Sequence, residues 1–326
     1  MAESGRRVPE NSATYREFVR LYDLARQLRP TGVDRWNREL YATSGIGGFD
    51  QQTGAIGIRE PLLREGLTKD PASNARWQAR ALATVLNRAT RAGMHVDAPG
   101  EANVVRTTQS RGLQDGVASV RAATDFHAFT RMAGYPNLAF NDQESGAYAA
   151  ANELIRQTSG PSVDRQQLVD RLHQGPAMMH FDRLAEGVVR NRLAEVAPAE
   201  GVDRQAMRRE LIGEMLHPQW DSLAQRSPED GRRVAGEIGQ ALNAKVDEIR
   251  RRSPQTLQVA PSDGRQREAA TKPRPGQEST ARFLTGLAPA GGAAGQAPSL
   301  GDGSRAAAQH ATAATRPRAP GESMRR

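Results

Sequence analysis

The chain has no cysteine among its 326 residues. This excludes disulfides, thiolate catalysis and cysteine-based zinc or iron–sulfur sites, whatever the redox compartment. Aromatic residues make up 5% of the sequence, and no RNP-type pattern arranges them, so stacking against bases has little material to use. There is no run of about 18 apolar residues, which rules out a spanning helix. Met1 to Asn11 is polar, without the apolar stretch of a signal peptide, so a cytoplasmic location is expected; signal-independent export remains open. Phosphate-loop, G-x-S-x-G and C₂H₂ patterns are missing, and the six histidines form no H-x-x-x-H pair. Lysine is scarce as well. Lys69, Lys245 and Lys272 are the three lysines among 45 basic residues, a bias that fits a GC-rich genome better than selection for phosphate binding.

What is present is a mostly helical pattern. Hydrophobic residues are 37% of the chain, enough for one large domain or two small ones. Residues 13–28 place Tyr15, Phe18, Val19, Tyr22 and Ala25 on one face, with Ser12 as N-cap and Pro30 as a stop. Further helices are expected at about 72–93, 113–133, 143–158, 164–174, 178–196, 203–216 and 228–252. The last has Ser227 as a cap, Pro228 at its first position, acids in its first turn and Arg250 to Arg252 at its end. Gly54 to Ile58 reads as a short strand after a glycine-rich stretch with turn residues. Beyond Arg252 the periodicity fails, and the composition predicts a disordered Pro/Gly/Ala/Arg-rich tail over 254–326. Residues 253–326 hold ten basic and five acidic residues, so +5 of the total +8 lies there and about +3 on the folded part.

One helical segment carries a motif without reactive groups: Leu86-Asn87-Arg88-Ala89-Thr90-Arg91-Ala92-Gly93. Set beside the zinc-peptidase pattern Leu-His-Glu-x-x-His-x-Gly, it keeps the frame and replaces His, Glu and His. Two imidazoles four residues apart converge on zinc while the Glu activates water. Asparagine is a poor ligand and a guanidinium has no lone pair to give. Twenty-four residues on, Asp115 in Gly112-Leu113-Gln114-Asp115-Gly116 stands where a following helix carries an acidic third ligand.

With the strand at 54–58 and the segment Pro176 to Ala185, residues 40–200 resemble an actinobacterial zincin-like metallopeptidase fold of the gluzincin type. The resemblance implies a helical zincin-like domain with a small β element over 41–253, preceded by an N-terminal helical segment over 1–40. It implies that Asn87, Arg88, Arg91 and Asp115 are degenerate motif positions holding no metal and no catalytic residue. It further implies an edge strand at Ile56 and Ile58 for pairing with a peptide, and a salt bridge from Arg91 or Arg88 to Asp115 in place of zinc.

A simpler reading makes Leu82, Val85, Leu86, Ala89 and Gly93 one face of an ordinary amphipathic helix, with Arg88 and Arg91 as a solvated basic face. The function that the zincin resemblance implies, and the preferred one, is recognition of a peptide or protein, without catalysis or cofactor. An alternative is a basic plasmid-, phage- or chromosome-associated protein binding nucleic acid through its Arg-rich tail. A third reading is an enzyme that joins Asp115 to histidines. His173 and His180 straddle Gly175-Pro176 and either meet across that turn or, the commoner case, lie exposed at helix ends. Asp97 and Glu101 supply oxygen ligands for a hard cation or, more simply, turn residues.

Overall fold

Two hydrophobic cores share one long helix. The computed structural model describes residues 5–67, 75–139 and 145–253. In chain order it contains β1 (Arg6–Arg7), α1 (Ala13–Leu28), β2 (Leu40–Thr43), β3 (Ile56–Arg59), a π-helical turn (Leu62–Gly66), α2 (Ala75–Ala92), α3 (Thr108–Ala133), α4 (Gly146–Thr158), α5 (Arg165–Gln174), α6 (His180–Arg192), α7 (Val202–Met215), a 3₁₀ turn (Trp220–Gln225) and α8 (Pro228–Arg252). The fold is mainly helical with a small sheet. The Ser12 and Ser227 hydroxyls cap α1 and α8 as expected, accepting from Tyr15 N and Asp230 N. Helix α3 begins at Thr108, five residues before its expected start, because Thr107 rather than Gly112 is the N-cap position.

The N-terminal half of α3 presents Leu113, Val117 and Val120 to a core shared with α4, α5, α6, α7 and α8. Its C-terminal half presents Phe126 and Phe129 to a core shared with α1, α2 and the sheet. The N-terminal segment contributes to this second core: Val8, Phe18, Tyr22 and Trp36 pack with Leu82 and Leu86 of α2. Close approach of α3 and α4 depends on Gly116, where a Cβ would overlap the Ala147 carbonyl and the Ala151 methyl. This contact brings the start of α4 beside Asp115. The tail expected over 254–326 lies outside the described residues.

β2 lies between the other two strands, antiparallel to β1 and parallel to β3. The outer edge of β3 is already paired. Gly48 and Gly57 exchange hydrogen bonds at 3.0 and 2.7 Å, and Asp50 N donates to Ala55 O at 2.9 Å, so residues 48–50 fold back along the edge. Gly47, at φ +67°, permits this turn, since a Cβ there would also overlap the Gly57 carbonyl. The peptide-binding role expected of Ile56 and Ile58 is thereby corrected. Their side chains are 0% and 1% exposed in the core, Ile56 N donates to Glu39 O on the β2 side, and strand alternation turns Ile58 the same way. The backbone groups that would have received a peptide belong to Gly57, and Gly48 occupies them.

Candidate functional site

Helices α2 and α3 bring the four motif positions together. Successive turns of α2 carry Asn87, Arg88 and Arg91 on the side opposite its core residues Leu82, Val85, Leu86 and Ala89. Across the gap, α3 presents Asp115 and Ser119, one turn apart. The Arg91 Nη2 lies 2.7 Å from Asp115 Oδ1, so the expected pairing is present. Beyond this ion pair, Asp115 Oδ1 and Arg91 Nε have no hydrogen-bond partner among the described residues. The Asn87 side-chain amide donates to Ser119 Oγ at 3.1 Å, and Ser119 Oγ donates to the Asp115 carbonyl at 2.9 Å.

These side chains line a pocket of about 330 Å³, a size that suits a small polar group. Its walls are Ala83, Ala122, Ala147 and Ala224, and its rim includes Ile46, which is 54% exposed. Ser145 and Tyr148, at the start of α4, form another wall; the Ser145 hydroxyl accepts from Tyr148 N and keeps its own proton for a further bond. Arg80, Arg88 and Arg91 contribute positive charge, whereas Asp115 is the one acid lining the pocket among the described residues.

The solvated basic face of the simpler reading is not what forms. Arg91 keeps 12% of its side-chain exposure, and Arg88 is partly buried. Arg88 Nη1 donates to Asn87 Oδ1 at 2.8 Å, while Nη2 makes two long contacts to the Ile46 and Gly47 carbonyls at 3.5 and 3.4 Å. Its Nε is buried without an acceptor. Burial first, and then the positive charge of Arg91, pull the Arg88 guanidinium down to about 10, with Asp115 opposing; it stays charged at neutral pH. Arg35 is also held below its usual range by burial and by Arg91. Among the described residues that line the pocket, positive charge thus exceeds negative charge.

Replacing Asp115 by alanine strands Arg91 beside Arg88 and Arg35. Both members of the pair retain some contact with water, so the expected loss is about 2 kcal/mol, below the range for a fully buried pair. Adding Arg91→Met to that variant should recover at least half of the loss, as read from chemical-denaturation midpoints. Equal stability of Asp115→Ala and the parent would mean that the contact has no energetic role.

The other candidate residues lie elsewhere. His173 and His180, expected at exposed helix ends, are 4% and 0% exposed. His180 Nε2 donates to the Leu172 carbonyl at 3.0 Å; neither ring nitrogen of His173 has a partner. Neither lines the Asp115 pocket. Asp97 accepts from Ala98 N and Arg106, in keeping with a turn. Among the described residues, no three His, Asp or Glu side chains are grouped to hold a metal ion, and no helix is long and apolar enough to cross a membrane. Comparison of the chain with known protein families, curated proteins and solved structures finds no match.

Proposed function

We propose that this chain is a catalytically inactive, zincin-like protein that recognises a peptide or protein through the pocket between α2, α3 and the start of α4. The observation that carries the reading is the placement of Arg88 and Arg91 in the pocket, at the two motif positions where a peptidase has its base and second zinc ligand. A guanidinium binds and orients, but at neutral pH it neither accepts a proton nor donates a lone pair to a metal. Asp115 is held by Arg91 and is poorly placed to act as a base. Alanine walls and an exposed Ile46 offer apolar contact around the charged floor, the combination expected of a site that accepts one side chain while its rim holds the neighbouring residues. The pocket thus replaces the strand edge as the place of recognition.

A displayed library of random peptides, selected on the full chain, tests this reading. Enriched peptides should lose at least tenfold in affinity to Thr84→Phe, which fills the pocket, and to Ile46→Asp at its rim. The purified chain should carry no stoichiometric zinc. A 1:1 zinc content, lost together with proteolysis on chelation, would overturn the proposal. So would selected peptides indifferent to both substitutions. Tight binding to duplex DNA that falls steeply with salt and disappears on deletion of residues 254–326 would favour the nucleic-acid alternative instead.

A further inference from the structure

Resting on that reading, we infer that the group this pocket accepts is a peptide carboxylate, and that Arg88 is the residue that binds it. Four observations converge. The first is the charge balance of the pocket: Asp115 is committed to Arg91, and Arg80 has an interaction of its own, while no acid side chain lies within ion-pair distance of Arg88 among the described residues. The second is the state of its donors: a buried Nε without an acceptor and an Nη2 with two long carbonyl contacts.

The contrast with Arg121 and Arg208 is the third. Arg121, 1% exposed, pairs with Asp125 and Asp170; Arg208 pairs with Asp182 and Glu186. Where arginine supports the fold at these places, the fold supplies its acids. At Arg88 no such acid is found among the described residues, and the side chain lines an open cavity instead of a closed core. A guanidinium drawn out of water without a counter-charge is unfavourable until an anion arrives, so Arg88 is better suited to a ligand than to packing. The fourth is the surroundings. Ala83, Ala122 and Ala147 exclude water from one side, which strengthens charge-assisted bonds. The Ser145 hydroxyl keeps a proton to donate.

The same groups favour a carboxylate over a phosphate. A planar guanidinium fork matches a planar carboxylate with two parallel hydrogen bonds. A single negative charge balances Arg88, whereas a dianion would bring surplus negative charge close to Asp115, which lines the same pocket. The carboxylate comes from an acidic side chain or from a chain terminus, two sources with one chemistry.

Nuclear magnetic resonance of the full chain, followed at the Arg88 Nε–Hε and Asn87 side-chain amide signals, tests the assignment. Sodium butyrate should give saturable shifts at both, and butyramide at matched ionic strength should give none. Arg88→Gln should weaken butyrate binding at least tenfold, and Arg88→Lys, which keeps the charge but loses the fork, by a smaller factor; native-like spectra of both variants exclude misfolding as the cause. Acetyl-Ala-Glu-Ala-amide and Ala-Ala-Ala with a free terminus then separate the two sources. Absence of saturable shifts with every carboxylate probe, or tighter binding of inorganic phosphate than of butyrate, overturns the inference. A selected peptide that lacks any carboxylate yet still requires the open pocket would do the same while leaving peptide recognition standing.

Discussion

Replacing Asp125 by alanine should destabilise the fold by about 4 kcal/mol, the cost of leaving a buried guanidinium with half of its partners gone. Asp125 is 3% exposed and receives both Nε and Nη2 of Arg121, at 2.5 and 2.9 Å. It also accepts from Arg29, which caps the end of α1, at 3.0 Å. Arg121 extends the chain of contacts to Asp170 on α5. Asp125 and Arg121 together therefore join α1, α3 and α5. Without it, Arg121 keeps only the more exposed Asp170, and Arg29 returns to solvent. For a domain of this size the loss corresponds to roughly 10 °C in Tm. Exchanging both members for apolar residues, Arg121→Met with Asp125→Leu, should restore much of it, because buried pairs are often replaceable as a unit. A single-variant loss below about 1 kcal/mol would show that the network is not needed for stability.

Acid should weaken the fold well before its carboxylates are protonated. Burial, with Arg121 next in effect and Arg26 and Arg29 adding to it, lowers His173 to about 4 despite the opposing charge of Asp125. Burial, then Arg183 and His173, lower His180 to about 3, against the hydrogen bond to Leu172 O. In the unfolded chain both titrate near their ordinary value of about 6.5. Above that value both states are neutral and the stability is complete. As pH falls below it, the unfolded state takes up protons that the native state refuses, and stability is lost progressively toward about pH 3. By about pH 5 the loss is roughly 2 kcal/mol for each histidine. Urea midpoints at pH 7 and pH 5 measure it. His173→Leu removes a ring whose nitrogens have no partners, so it should have little effect at pH 7 and remove about half of the acid loss. Unchanged midpoints between the two pH values would contradict the burial of these rings as charge-excluding. Glu186, which three arginines hold down at about 2 against the effect of its burial, contributes only at lower pH, below the ordinary glutamate range.

Much of the architecture could be read from the residues because it is local. Helix α8 runs over the expected residues, since cap, first-turn proline, acids and terminal arginines all point to the same boundaries. Strand β3 was also legible, but its surroundings were not. Two-residue β1 carries no periodic signal, and β2 is a Leu-Tyr-Ala-Thr segment too short to be told from a loop. Nor did the glycines at 47 and 48 reveal that the chain would fold back and occupy the edge of β3. That outcome depends on a hairpin whose arms are held by long-range packing.

The site shows the same division. Spacing alone places Asn87, Arg88 and Arg91 on one helix face, and the pairing of Arg91 with Asp115 follows from setting two helices side by side. The contribution of α4 through Ser145 and Tyr148, and that of Ile46, could not be read in advance, because it depends on how α4 packs against α3 at Gly116. Burial of His173 and His180 was missed for a related reason. Helix ends are usually exposed, but here both rings are buried, and His173 lies close enough to Arg121 and Asp125 of α3 to feel their charges.

The measurement that tests the central claim most directly is the unfolding free energy of Arg88→Met, taken alone and with a saturating acidic peptide selected on the parent chain. If Arg88 is present to bind, exchanging it for an apolar side chain of similar length should leave the free protein as stable or up to about 1 kcal/mol more stable, and should abolish the stabilisation that the peptide confers on the parent. A variant that is clearly less stable on its own, yet gains as much from the peptide as the parent does, would contradict the account and make Arg88 a structural residue of α2.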